Sequence, residues 1–94
     1  QTPLVMVMGH SGCGAVSTAM GNSALTPSLE RLITPIRSQI ADSPDLTAAV
    51  RSNALGTATT LRDNSPLLRE AEAKGSLKLV VSYFDLQTGA VTLI

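Results

Sequence analysis

The 94-residue chain has no tryptophan, one tyrosine and one phenylalanine, so aromatic residues make up 2% of it. It has one cysteine and one histidine. A single cysteine excludes an internal disulfide, so no covalent staple closes the fold. Seven Lys and Arg balance seven Asp and Glu, for a formal net charge of zero. Without a basic excess or aromatic platforms there is no electrostatic or stacking basis for binding nucleic acid. No apolar run approaches the roughly 18–20 residues of a membrane helix, so no membrane partner is expected. Charged residues are only 15% and hydrophobic residues 44%. That balance argues against disorder. It also leaves a surface sparse in charge, the kind expected to carry a buried partner face.

What the chain does have is a clear alternation of element signals. Leu4 to Met8 is a continuous apolar run between Pro3 and Gly9. It reads as a strand buried on both faces, as in a parallel sheet, with Met6 and Met8, and later Met20, as core filler. Ala15 to Met20 reads as a short helix ended by Gly21 and Asn22. Leu29, Leu32, Ile33, Ile36 and Ile40 fall three and four apart, an amphipathic stripe. Thr26 or Ser28 can cap that helix, which runs to about Ala41, and Pro35 inside it predicts a kink or break. Arg31 and Arg37 fall on its solvated face.

Ser43 followed by Pro44 predicts a cap with proline at the first helical position of the next helix, which extends to about Asp63. Ser65 and Pro66 repeat the signal for a short helix ending at Gly75. Leu77 to Phe84 reads as a second strand, with Tyr83 half-buried in it. Asp85 and Gln87-Thr88-Gly89 are turn formers, and Ala90 to Ile94 reads as a third strand. The fold class is therefore α/β: a partial parallel sheet with a helical crossover and a C-terminal β-hairpin. Such a sheet is narrow. An over-buried first strand wants a neighbour on each side, so a missing strand is expected on its N-terminal side. The start at Gln1, without Met and two residues before that strand, supports the same expectation.

The histidine and the cysteine lie together, in Gly9-His10-Ser11-Gly12-Cys13-Gly14. This loop follows a strand and precedes a helix, where open α/β sheets build their ligand sites. Glycines allow the sharp turn, and a helix N-terminus favours a thiolate at Cys13. Imidazole nitrogen and thiolate sulfur are both zinc ligands, and the spacing lets them converge on one ion. From the residues alone, other readings stand beside a metal site. They are a histidine satisfied in a turn beside a buried cysteine, a glycine-rich anion loop without the P-loop lysine, and a nucleophilic cysteine paired with His10.

The run PLVMVMGHSGCGAV resembles the zinc-loop segment of β-class carbonic anhydrases, where a buried strand ends in Gly-His-Ser/Thr-Gly-Cys-Gly-Ala. The tail GSLKLVVSYFDLQTGAVTL resembles the end of the same family. AAVRSNALGTATTLRDNSPLLREAEAKG resembles its second helical segment, with Asn53 and Pro66-Leu67-Leu68 in matching places. The resemblance covers nearly the whole chain in order. It implies a zinc cofactor, Zn2+, with His10 and Cys13 as metal ligands. Gly9, Ser11, Gly12 and Gly14 would form the backbone of the metal loop. It implies reversible hydration of carbon dioxide to bicarbonate, with carbon disulfide as an analogue the loop does not distinguish.

The family draws a further ligand from a Cys-x-Asp-x-Arg element on an earlier strand. That element is absent here: Cys13 is the only cysteine, and none of Asp42, Asp45, Asp63 and Asp85 is followed two residues on by Arg. The resemblance thus describes residues 1–94 as a single β-carbonic-anhydrase-like domain lacking the family's N-terminal strands. Two expectations follow. In one, the chain is part of a carbonic anhydrase completed by a further N-terminal fragment. In the other, it is a non-catalytic homo-oligomeric module. That module pairs through the bare edge of Leu4 to Met8 and binds zinc structurally between two copies of His10 and Cys13.

Overall fold

The computed structural model describes residues 3–94; Gln1, on which part of the expectation of a missing strand rests, lies outside them. Strand β1 (Leu4–His10) is followed by α1 (Gly14–Met20), α2 (Pro27–Ile40), α3 (Leu46–Asn64) and α4 (Pro66–Ala73). Strands β2 (Lys78–Phe84) and β3 (Val91–Leu93) close the order. The sheet runs β1-β2-β3. β1 and β2 are parallel, in register from Leu4 opposite Lys78 to His10 opposite Phe84. β2 and β3 form the antiparallel hairpin, with Phe84 opposite Val91. This is the α/β arrangement expected from the sequence.

Three helices start on side-chain caps. Thr26 Oγ1 accepts from the Leu29 amide at 3.3 Å, with Pro27 at the first helical position. Ser65 Oγ accepts from the Leu68 amide at 3.1 Å, with Pro66 behind it. The cap of α3 is not Ser43 but Asp45, whose Oδ1 accepts from the Ala48 amide at 2.8 Å. Ser43 Oγ instead meets Ser52 Oγ at 3.4 Å, and its amide closes the α2 terminus on the Ile40 carbonyl. Both residues can cap, and the turn after Ile40 puts the carboxylate, not the hydroxyl, at the free amides.

Pro35 does not break α2, which is continuous through it. Pro35 and Arg31 are both exposed, so the carbonyl that loses its partner faces water and the ring meets no core. Arg37 is not simply solvated. Its Nε donates to the Ala19 carbonyl at 3.3 Å and its Nη1 to Glu30 at 3.4 Å, tying α1 to α2.

Helix α3 is the one that lies across β1 and β2. Its small residues make that possible: Ala54 and Ala58 are buried with Leu79 and Val81 of β2, against Val5 and Val7 of β1. A second cluster joins Val16, Ala19, Ile33, Ile40, Ala49 and Val50. Gly9 marks the closest approach. A Cβ there would sit 2.7 Å from Val50 Cγ1 and 3.2 Å from the Val50 carbonyl oxygen. Any side chain at this position pushes α3 off the strand immediately before His10.

β1 is not buried on both faces. Val5 and Val7 face α3, while Leu4, Met6 and Met8 are 58, 40 and 46% exposed on the other face. That face continues through the exposed Val91 and Leu93 of β3, and among the described residues no helix packs across it. Met6 and Met8 are therefore not core, and neither is Met20, 43% exposed at the end of α1. Hydropathy marks β1 as apolar on both sides but cannot say that only one side is covered.

Candidate metal centre

His10 ends β1, and its register partner Phe84 ends β2, so the loop leaves the carboxyl end of the parallel pair. The loop is pinned by three contacts that meet at Ser11. The Ser11 amide donates to the Phe84 carbonyl at 2.9 Å, extending the ladder by one residue. Ser11 Oγ accepts from the Leu86 amide at 2.8 Å. The Ser11 carbonyl lies 2.9 Å from His10 Nδ1. A carbonyl only accepts, so this contact is a hydrogen bond when Nδ1 carries the proton. Nε2 then keeps its lone pair.

Gly12 follows with φ +64, in the left-handed region that glycine enters without cost. Cys13 is the N-cap residue of α1 and makes no side-chain cap bond, so its half-buried thiol is free. It packs beside the Val16 cluster, and Gly14 opens the helix.

On the far side of the loop, Asp85 builds the hairpin turn as expected. Its Oδ1 accepts from the amides of Gln87 and Thr88 at 2.9 and 3.4 Å, and its own amide donates to the Ala90 carbonyl. A cavity of about 440 Å³ lies between this turn, the N-terminus of α3 and the loop, bordered by Ser11, Gly12, Thr47, Tyr83 and Asp85. Arg51, one turn along α3 from Thr47, holds its guanidinium 5.2 Å from the centre of the Tyr83 ring. Neither His10 nor Cys13 lines the cavity.

The donor chemistry fits zinc in kind. A neutral imidazole whose other nitrogen is held by a carbonyl is the usual state of a metal-bound histidine. A free thiol three residues on supplies the soft partner. The count is short. Among the described residues no three His, Cys, Asp or Glu side chains gather in one place, and a catalytic zinc takes three protein ligands. Arg62 is held above its usual range by its hydrogen bond to Glu72, at 3.0 and 3.2 Å between α3 and α4.

The family profile described as carbonic anhydrase matches residues 1–91. The chain belongs to the carbonic anhydrase family. Among solved structures, the chain is similar to a tetrameric β-carbonic anhydrase of Sordaria macrospora, at 21% identity and a TM-score of 0.76. That match covers 97% of this chain and 51% of the other. It is similar to the β-carbonic anhydrase CafA of Aspergillus fumigatus at 24% identity and a TM-score of 0.77, covering 97% and 48%. Wild-type CafD of the same fungus matches at 23% identity and a TM-score of 0.73, covering 98% and 57%. No curated protein matches. The fold is thus that of β-carbonic anhydrases, and the chain spans about half the length of the solved structures it matches. No helix of the described residues is long and apolar enough to cross a membrane.

The sequence pointed to Ser11 only as loop backbone. Its hydroxyl contact with Leu86, 75 residues away, has no signal in local pattern. The Asp85 and Thr88-Gly89 turn signals hinted only that a hairpin tip would lie nearby.

Proposed function

We propose that the His10–Cys13 loop is the two-ligand half of a zinc site for the reversible hydration of carbon dioxide, completed by donors from polypeptide outside the described residues. The observation that carries this reading is the contact between His10 Nδ1 and the Ser11 carbonyl, which leaves Nε2 free to ligate, with a free thiol three residues on at Cys13. Family membership supports the same assignment. Zinc held there supplies Lewis acidity that brings the pKa of a bound water near 7. The chain's own residues do the holding. His10 Nε2 and Cys13 Sγ are the donors, Ser11 fixes the ring, and Gly12 lets the loop turn back between them.

The test adds to the purified chain a fragment carrying the family's other half and follows carbon dioxide hydration. The chain alone is expected to run at background. The complex is expected to hydrate carbon dioxide, and to lose that activity with His10→Ala or Cys13→Ala. A folded complex holding one zinc per chain and showing no activity refutes the reading, as does activity indifferent to both substitutions.

The non-catalytic reading, with zinc shared between two copies, has one observation in its favour: β1 is a bare edge with exposed apolar side chains. Its two halves conflict. Pairing all of Leu4–His10 antiparallel with a second copy sets Leu4 opposite His10. The two His10 residues then lie six residues apart along the seam, about 20 Å. Setting His10 opposite His10 leaves only that pair within both strands. An edge dimer and a shared four-donor site exclude each other, which leaves the catalytic reading first.

A further inference from the structure

We infer that Ser11 is the positioning residue of His10, and that through it the β2–β3 turn sets which ring nitrogen faces a metal. The inference rests on the metal reading of His10 given above, and extends it to a residue that does not touch the ion. Ser11 makes three contacts in one short stretch. Its amide donates to the Phe84 carbonyl at 2.9 Å and its Oγ accepts from the Leu86 amide at 2.8 Å, so it is held on both sides of the β2 terminus. Its carbonyl faces His10 Nδ1 at 2.9 Å. The peptide that presents this carbonyl precedes Gly12, whose left-handed backbone turns freely. Without the hydroxyl tether, that peptide is free to rotate away from the ring. With it, the carbonyl stays aimed at Nδ1, the proton stays on Nδ1, and Nε2 stays a lone-pair donor. Asp85 completes the chain of constraint, because its carboxylate orders the turn that carries the Leu86 amide.

The chain has a single histidine and a single cysteine, so the experiment has no competing signals. The 15N-labelled, metal-free chain is examined by long-range nitrogen–proton NMR at alkaline pH, where imidazole is neutral. The wild-type ring is expected as the Nδ1–H form. Ser11→Ala is expected to move it toward the Nε2–H form that free histidine prefers, and to speed hydrogen exchange at the Leu86 amide roughly 10-fold. Ser11→Thr, which keeps the hydroxyl, is expected to restore both. Co2+ is then titrated in, with the thiolate-to-cobalt absorption band of Cys13 as readout. Ser11→Ala is expected to weaken binding about 10-fold.

A wild-type ring found as Nε2–H overturns the inference without any variant. So does a Ser11→Ala chain with unchanged tautomer and unchanged Leu86 exchange. If the tautomer responds to Ser11 but neither the wild-type chain nor its complex with the fragment carrying the family's other half shows a cobalt band, Ser11 still positions the ring and the metal reading is what fails.

Discussion

The closeness of α3 to β1 can be tested at Gly9. An added Cβ would lie 2.7 Å from Val50 Cγ1, where carbon atoms normally rest about 3.5–4.0 Å apart. Val50 is 2% exposed and β-branched, so its χ1 has nowhere to turn. The Val50 carbonyl oxygen at 3.2 Å blocks a retreat along the helix surface. Relief requires α3 to move outward by roughly an ångström, and overpacking of this kind costs about 1–3 kcal/mol. Replacing glycine also stiffens the unfolded chain, which returns about 0.4–1 kcal/mol. Gly9→Ala should therefore destabilise by about 1–2 kcal/mol, or roughly 4–16 °C in Tm for a domain this size.

A double-mutant cycle isolates the cause. Val50→Ala alone removes two buried methyl groups and costs about 2–3 kcal/mol. It also removes the atom that Gly9→Ala strikes. The double variant should be more stable than the sum of the singles by at least about 1 kcal/mol. Urea denaturation of the four chains measures each corner. A Gly9→Ala cost near zero, or strict additivity, refutes the close approach as the reason for glycine before His10.

Asp45→Ala removes the α3 cap bond of 2.8 Å and should cost about 1 kcal/mol by urea denaturation, while Asp45→Ser or Asp45→Asn should recover most of it. A Ser43→Ala chain should lose less than Asp45→Ala, which tests the shift of the cap directly. The paired bonds of Arg62 to Glu72 are part-exposed at 40 and 25%, so Arg62→Ala should cost no more than about 1 kcal/mol and less in high salt. The Arg62 pKa is raised above its ordinary value, so while Glu72 is ionised its stabilisation is present at neutral pH and is lost only as pH rises through that raised value. Arg62 should therefore contribute no slope to stability between about pH 5 and 9, as checked by denaturation across that range.

Local order was largely legible in the residues. Thr26-Pro27 and Ser65-Pro66 announce helix starts because a hydroxyl before proline satisfies free amides while proline supplies the right φ. Asp85 through Gly89 announces a turn because the carboxylate reaches amides two and three residues on. The His-x-x-Cys spacing after an apolar run marks a strand-end loop with two zinc-competent donors, since both properties depend on neighbours in sequence.

Choices between equivalent residues, and all statements about coverage, belonged to the tertiary structure. Ser43 and Asp45 are both competent caps, and the path of the chain after Ile40 selected Asp45. Pro35 was tolerated because it fell on the water side of α2. Leu4, Met6 and Met8 are as apolar as Val5 and Val7, yet α3 covers only one face of β1, and no local pattern encodes which side a helix from much later in the chain will take. The Ser11 hydroxyl found its partner at Leu86 only because parallel pairing brings the ends of β1 and β2 together. Sequence determines what a residue is able to bond; which partner stands within about 3 Å is decided by how distant segments pack.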